Sequence, residues 1–492
     1  MTTKILELTV ATLVFSSLVA TPLTAQPLSA KALDIGSRRE LFVDDYLIDS
    51  IKGAALRLGR PLPAEVILKA DRPWEGAFNF GNNVILHEGL YRLYYRGLDT
   101  EVAKSFLCYA TSKDGISWEK PNLGHFEFQG SRHNNVIVDE KGQPISPNVF
   151  LDTRPGIPEN ERFKGIVQDD RRGPGHTPHV IGYTSADGVR FTRMPRQPEL
   201  TCTMDNCFDG DFATFWSEVE DSYVAYFRFM DPWRSVLRST SKDLIFWTPL
   251  KVMSYGDTTR EHLYVNRTIP YFRAPHIYVA LPARFMYQRR VVTDEQLSRM
   301  AVVGYEGHIY YNDCSETVFM TTRPGTTRYN RTFMEGFVTP GMGTENWVSR
   351  TNYSLQGVFQ TGPAEMSFYV NRNYAQKSWH IERQTLRLDG FSSLNAPYEG
   401  GEMVTRPFRF SGRKLTINYS TSAAGSVQVE IQDGEGGVVP GFAVPDCPEI
   451  IGDEIERVVS WQGGSDLSRI AGQTVRLRFV MKDADLYSLS FQ

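Results

Sequence analysis

The chain has 492 residues, of which 12% are aromatic and 22% charged, with 40 Gly and 27 Pro. That balance favours many short strands and turns over a helical bundle, and the apolar fraction is too high for a disordered chain. Lys and Arg total 53 against 57 Asp and Glu, a net charge of −4 that gives no global attraction for nucleic acid or an anionic membrane.

Lys4 precedes a mostly apolar run over residues 5–20, and Ala25 stands before Gln26. This is the pattern of a secretory signal cut after residue 25, so the mature chain is expected to be secreted or periplasmic. No other run approaches the roughly 18 apolar residues of a membrane span. The five cysteines lack zinc-like spacing, and neither a metal nor another cofactor is expected. In an oxidising compartment Cys202 and Cys207 are placed to pair, while Cys108 lies in an apolar strand-like stretch and reads as core.

The strand Glu40-Leu41-Phe42-Val43-Asp44-Asp45-Tyr46-Leu47-Ile48 comes first. It either closes a ring with the far end of the chain or covers a C-terminal domain. A repeat then begins. Thr111-Ser112-Lys113-Asp114-Gly115 precedes Trp118, Thr184-Ser185-Ala186-Asp187-Gly188 precedes Phe191, and Thr240-Ser241-Lys242-Asp243-Leu244 precedes Trp247. Thr321-Thr322-Arg323-Pro324-Gly325 and Leu388-Asp389-Gly390 are shorter or degraded copies. Asp-Gly marks a turn because glycine takes positive φ without penalty. A β-rich run precedes each turn: 90–96, 163–167, 223–228, 276–281 and 366–370. A further strand lies upstream of each, over 78–86, 146–150, 211–216, 263–270 and 348–358. Five such units between residues 74 and 394 predict an all-β fold, a five-bladed β-propeller over 26–396. Past Pro397 and Gly400-Gly401 the alternation over 415–419 and 426–431, completed by 474–480 and 486–491, predicts a β-sandwich over 397–492.

The innermost strands of a propeller face its central channel, and here polar residues intrude on them. Glu75 and Asn82 open the first unit, Asp152 belongs to the second, and Asp205 to Asp211 open the third. Glu261, His262 and Asn266 open the fourth, and Arg350 and Asn352 the fifth. Acids and amides bind hydroxyls, and aromatic faces stack on the C–H side of a sugar ring. The expected partner is therefore a carbohydrate.

From Ile35 to its end the chain resembles a bacterial group described as similar to glycoside hydrolase family 32, near families 43 and 62. The resemblance rests on residues 40–46, Pro73-Trp74-Glu75-Gly76, residues 91–97, Lys120-Pro121-Asn122-Leu123-Gly124, Arg260-Glu261-His262-Leu263-Tyr264 and residues 452–457. It implies a five-bladed propeller, an accessory sandwich and glycoside hydrolysis. The Asn-Asp-Pro-type and Glu-Cys-Pro motifs of family 32 are absent, and Asp446-Cys447-Pro448 lies in the sandwich.

Glycoside hydrolysis needs two carboxyl groups flanking the scissile bond. Glu75 is the expected base or nucleophile, Asp209 its partner with Asp205 and Asp211 as rivals, and Glu261 the general acid. Asp152 is the candidate acid for tuning the donor or binding substrate. Trp74, Asn82, His262, Asn266, Arg284, Arg350 and Asn352 are candidate substrate binders. An arginine pair in the channel would suit an anionic sugar. Asp169-Asp170-Arg171-Arg172 reads as a solvated turn, and Asp44-Asp45 as structural. Two alternatives stand beside this reading: a glycan-binding propeller without catalysis, and a sialidase-like six-bladed glycosidase suggested by the Asp-box-like residues 112–118.

Overall fold

The computed structural model of the protein describes residues 32–99, 104–169, 177–210, 212–300, 302 and 311–492. The expected leader over 1–25, Asp170 to Arg172 and Asp211 lie outside the described residues. The fold is all-β, with one short α-helix, Asp294–Met300, among the described residues.

Five groups of antiparallel strands follow one another along the chain. The first sheet holds Phe80–His87, Leu90–Asp99 and Lys104–Ser112. The second holds Asn148–Leu151, Phe163–Gln168, Val180–Ser185 and Arg190–Arg193, with Val138–Asp139 added in parallel. The third holds Ala213–Ser217, Ser222–Asp231, Trp233–Ser241 and Lys251–Val252. The fourth is split, with Ile269–Tyr271, Ala274–Ala280 and Met320–Thr322 beside a second set built on Ala283–Met286 and Cys314–Val318. The fifth holds Phe359–Gln360, Glu365–Arg372 and His380–Arg387.

The strand that completes the fifth sheet is Leu62–Lys69, from the N-terminal side of the whole array. The expected closing segment, residues 40–48, does something else. Glu40–Leu41 pairs with Val475–Phe491 at the far end of the chain. The N-terminal strands between residues 33 and 58 therefore belong to the C-terminal sheet. That ten-stranded sheet is organised around two long strands, Leu415–Asp433 and Val475–Phe491, and encloses its own core with Phe42, Phe408, Phe479 and Trp461.

Packing between the five sheets is circular. Tyr94 and Leu107 of the first share a core with Val149 and Phe163 of the second. Ile166 of the second packs with Tyr223 and Phe227 of the third. Val224 and Tyr226 of the third meet Tyr278 and Met320 of the fourth. Ile277 and Val279 of the fourth meet Phe368 and Val370 of the fifth. Tyr369 and Ile381 of the fifth return to Leu93 and Tyr95 of the first. Aromatics dominate because each pays a large burial gain into a wide gap between sheets.

The repeated turns share one hydrogen-bond plan. The Ser112 hydroxyl accepts the Gly115 N–H (2.9 Å), while Asp114 Oδ1 accepts the N–H groups of Ile116 and Ser117 (both 2.8 Å). Ser185 with Asp187, and Ser241 with Asp243, repeat it. Neighbouring sheets are stitched through these turns, since Tyr94 donates to the carbonyl of Gly188 (3.0 Å) and Tyr369 to that of Gly115 (2.8 Å). A Cβ on Gly188 would lie 2.5 Å from the Tyr94 hydroxyl. Ile166 stands in the second sheet where Tyr94 stands in the first, by register from the turn serines. The third turn accordingly tolerates Leu244 at φ 67°, buried in the same core as Ile166. The fifth copy departs from the plan. Asp389 instead joins the ring to the C-terminal sheet, accepting from Tyr271 (2.7 Å) and Ser488 (2.6 Å). Asp44 is structural as expected, paired with Arg323 at 3.1 Å across the same junction.

Candidate functional site

Two adjoining cavities open where the five sheets converge, and they share Phe80, Arg96, Asp209 and Gly210. The larger, about 610 Å³, is lined also by Asn82, Asn148, Gln168, Asp169 and Tyr183. The smaller, about 420 Å³, is lined by Asn206, Arg228, Arg234, Tyr264, Arg350, Tyr353 and Tyr374. Together they form one cleft with amides at one end and arginines and aromatic rings at the other.

The loop that carries Asp209 is shaped by local chemistry. Cys202 and Cys207 are disulfide-bonded. Asn206, Phe208 and Gly210 take positive φ, which folds the chain back on itself. The Phe208 N–H donates to the Arg228 carbonyl (3.0 Å), and the Met230 N–H to the Asp205 carbonyl (2.9 Å). Asp209 thereby meets the Arg228 guanidinium, with 55% of its side chain still exposed to the cleft. Asp169 follows the strand Phe163–Gln168, is 6% exposed, and pairs with His179 at 2.9 Å.

The arginine end is electrostatically distinctive. Arg228, Arg234 and Arg350 stand 4.6, 4.9 and 5.6 Å from the Tyr264 ring centroid. Burial pushes the Tyr264 hydroxyl up, but Arg350 and Arg228 outweigh it and hold the group below the usual phenol value. Burial, with help from Arg228 and Arg350, lowers the Arg234 guanidinium from its ordinary value. Tyr353 is buried and pushed well above the phenol range, first by that burial.

Of the predicted site residues, Asp209, Asn82 and Arg350 line this cleft. The other two carboxylates assigned to catalysis do not. Glu75 is 0% exposed, and its oxygens are all engaged. They accept from the Asp71 and Arg72 N–H groups (2.8 and 2.9 Å) and the Tyr95 hydroxyl (2.6 Å), and pair with Lys120 at 2.7 Å. A group sealed in this way cannot meet a sugar, so Glu75 is a structural knot. Glu261 is spanned by two guanidiniums, Arg284 at 2.8 Å and Arg331 at 2.7 Å, and lines a separate cavity of about 180 Å³. The three carboxylates share no partner and no cavity.

Several expected substrate binders are likewise internal. The Trp74 indole donates to Asn135 (2.8 Å) inside the core. Asp152 is fully buried, accepting from Tyr223 (2.7 Å). Asn266 accepts the Thr268 N–H (3.0 Å), and Asn352 donates to two carbonyls while accepting from Arg372. Arg284 is consumed by Glu261 and Glu316. His262 packs on Trp233 and accepts the Arg234 N–H (3.2 Å), so it supports the cleft's wall from behind. Asp205 is exposed but lines neither cavity. Among the described residues no group of three His, Cys, Asp or Glu is placed to hold a metal ion.

Sequence reasoning missed Asp169, Arg228, Arg234, Tyr264 and Tyr374. One signal was available. Arg228 interrupts the apolar run Phe227-Arg228-Phe229 in the middle strand of its sheet, where a charge needs a reason.

No family model matches the chain, and no curated protein matches it. Solved structures resemble it at low identity. A glycosyl hydrolase from Bacteroides ovatus is 15% identical, with 67% of this chain and 94% of that one covered at a TM-score of 0.41. A Bombyx mori GH32 beta-fructofuranosidase is 12% identical, covering 89% and 94% at 0.40. A glycoside hydrolase family 43 arabinoxylan arabinofuranohydrolase from Bacillus subtilis is 10% identical, covering 86% and 97% at 0.37.

Proposed function

We propose that the protein is a secreted glycoside hydrolase, a five-bladed β-propeller with a C-terminal β-sandwich, acting on an oligo- or polysaccharide in the central cleft. The circle of five packed sheets supports this architecture over the six-bladed alternative. The Cys202–Cys207 disulfide supports an oxidising compartment.

One observation carries the catalytic reading: Asp169 and Asp209 line the same cavity, among Asn82, Asn148, Gln168 and the faces of Phe80 and Tyr183. Hydrolysis needs one carboxyl to protonate the glycosidic oxygen as the C–O bond breaks. The other attacks the anomeric carbon, or removes a proton from the water that does. Asp209, set against Arg228, is assigned the anionic role. Asp169, enclosed and 2.9 Å from His179, is the other carboxyl of the cavity and is assigned the proton donor, a role that needs the pair's proton on the carboxyl oxygen. Glu75 and Glu261 have no part in it.

A second reading, a glycan-binding protein without catalysis, is favoured by the ion pairs that already hold both acids. Sugar release from a panel of plant, algal and host glycans separates the two. The wild type should release product, and Asp209→Asn and Asp169→Asn should each lose it. Binding without release by the wild type would make the binding reading the right one.

A further inference from the structure

The smaller cavity holds four arginines, Arg96, Arg228, Arg234 and Arg350, and one carboxylate, Asp209. Surface arginines are ordinary, but these are gathered into a recess. Three of them surround the single ring of Tyr264. Like charges so close repel, and guanidinium N–H groups taken from water need acceptors.

Acceptors are missing for several of these N–H groups. Arg228 is 4% exposed, and only its Nη2 is used, on Asp209. Its Nε and Nη1 are buried without a hydrogen-bond partner, as are the Nε atoms of Arg96 and Arg234. The Tyr353 hydroxyl beside them is also buried and unpartnered. Single Nε atoms of Arg92, Arg238 and Arg331 are also unmatched elsewhere, but among the described residues only Arg228 leaves two buried guanidinium nitrogens without a partner. Arg284 is divided between Glu261 and Glu316, and Arg383 between Glu65 and Glu365. Native proteins rarely leave several buried donors unmatched in one place, and such a group calls for an acceptor from outside.

We propose that the glycan bound in this cleft carries an anionic group, the carboxylate of a uronic acid or a sulfate ester, seated on Arg228 and Arg234 with Arg96 and Arg350 around it. The planar fork of a guanidinium matches either oxyanion through paired, charge-assisted hydrogen bonds. The seat adjoins Asp209, so the charged residue lies next to the bond the catalytic reading would cleave. This inference rests on the reading of the cleft as a glycan site and names the glycan's class.

The test is calorimetric binding by the full chain to matched pairs of ligands. One pair is oligogalacturonate and its carboxyl-reduced form; the other is a carrageenan oligosaccharide and its desulfated form. At low salt at least one anionic member should bind about tenfold or more tighter than its neutral twin. The pair that shows the preference identifies carboxylate or sulfate. Arg234→Gln and Arg350→Gln, each confirmed folded by circular dichroism, should erase the preference while retaining affinity for the neutral twin. Equal or weaker binding of both anionic members overturns the anionic class and leaves the glycan reading standing. Binding of inorganic sulfate alone, with no glycan bound, overturns both. A preference unchanged in both variants overturns the assignment of the seat.

Discussion

Glu75 and Asp209 are both carboxylates at the mouth of an inner strand, yet they stand in opposite surroundings. Glu75 has no exposure and a partner for every lone pair it presents, including a lysine 45 residues away. Asp209 is half exposed, has one arginine, and looks into a cleft where the Nε atoms of Arg96, Arg228 and Arg234 have no partner. The first arrangement is a completed structure. The second is an incomplete one, which a ligand can complete. Residue type and position on the strand do not separate a structural acid from a working one; the state of its hydrogen-bond ledger does.

The sharpest way to break the comparison is to neutralise each acid in turn. Asp209→Asn removes the anionic carboxylate and should lower turnover by about 10²–10⁴-fold. Stability should fall by about 1–3 kcal/mol, because the buried Arg228 loses its one counter-charge while the amide oxygen can still accept from it. Initial rates beside urea denaturation check both halves. A variant that is destabilised but active would place Asp209 with Glu75.

Glu75→Ala should do the reverse. It leaves the Lys120 ammonium, the Tyr95 hydroxyl and two backbone N–H groups without their shared acceptor, at a cost of about 3–5 kcal/mol. Turnover per folded molecule should hold. Loss of activity without loss of stability would return Glu75 to the catalytic list. Glu261→Gln is an intermediate case, since its two arginine contacts are partly open to a small cavity. A cost of about 1–3 kcal/mol is expected, again with activity retained. Equilibrium unfolding and initial rates on the same preparation would show it.

Much of the fold was legible because it is written in local patterns. The Ser-x-Asp turns and the β-rich runs before them locate all five sheets. The closing strand was not. Residues 40–48 and 62–69 are both short β-rich segments near the N-terminus, and pairing partners more than 300 residues away decide between them. The site was legible in part. Asp209, Asn82 and Arg350, named for their place at the start of inner strands, line the cleft. Glu75, Glu261 and Asp152 were misassigned by the same rule, because Lys120, Arg331 and Tyr223 reach them only in the folded chain. Asp169 looked like part of a charged turn, and its enclosure depends on packing that composition does not express.

The turn aspartates extend the contrast to the surface and give its smallest effect. Asp114 is almost wholly exposed, yet the N–H groups of Ser117 and Ile116 lower its carboxyl to about 2. Asp187 is exposed as well. Desolvation pushes its carboxyl up, and hydrogen bonds from Arg190 and Val189 outweigh that and leave it lowered. A carboxyl whose folded value lies below its unfolded value adds stability that is fully present above about pH 4. That contribution is lost as the pH falls through the folded value, about 2 for Asp114. Asp114→Asn should therefore cost less than about 1 kcal/mol at neutral pH after solvent screening. The gap in melting temperature between variant and wild type should close as the pH is lowered from about 4 toward 2. No gap at any pH in that range would mean that the turn is held by Ser112 and the glycine alone. Asp114 would then be dispensable to the structure.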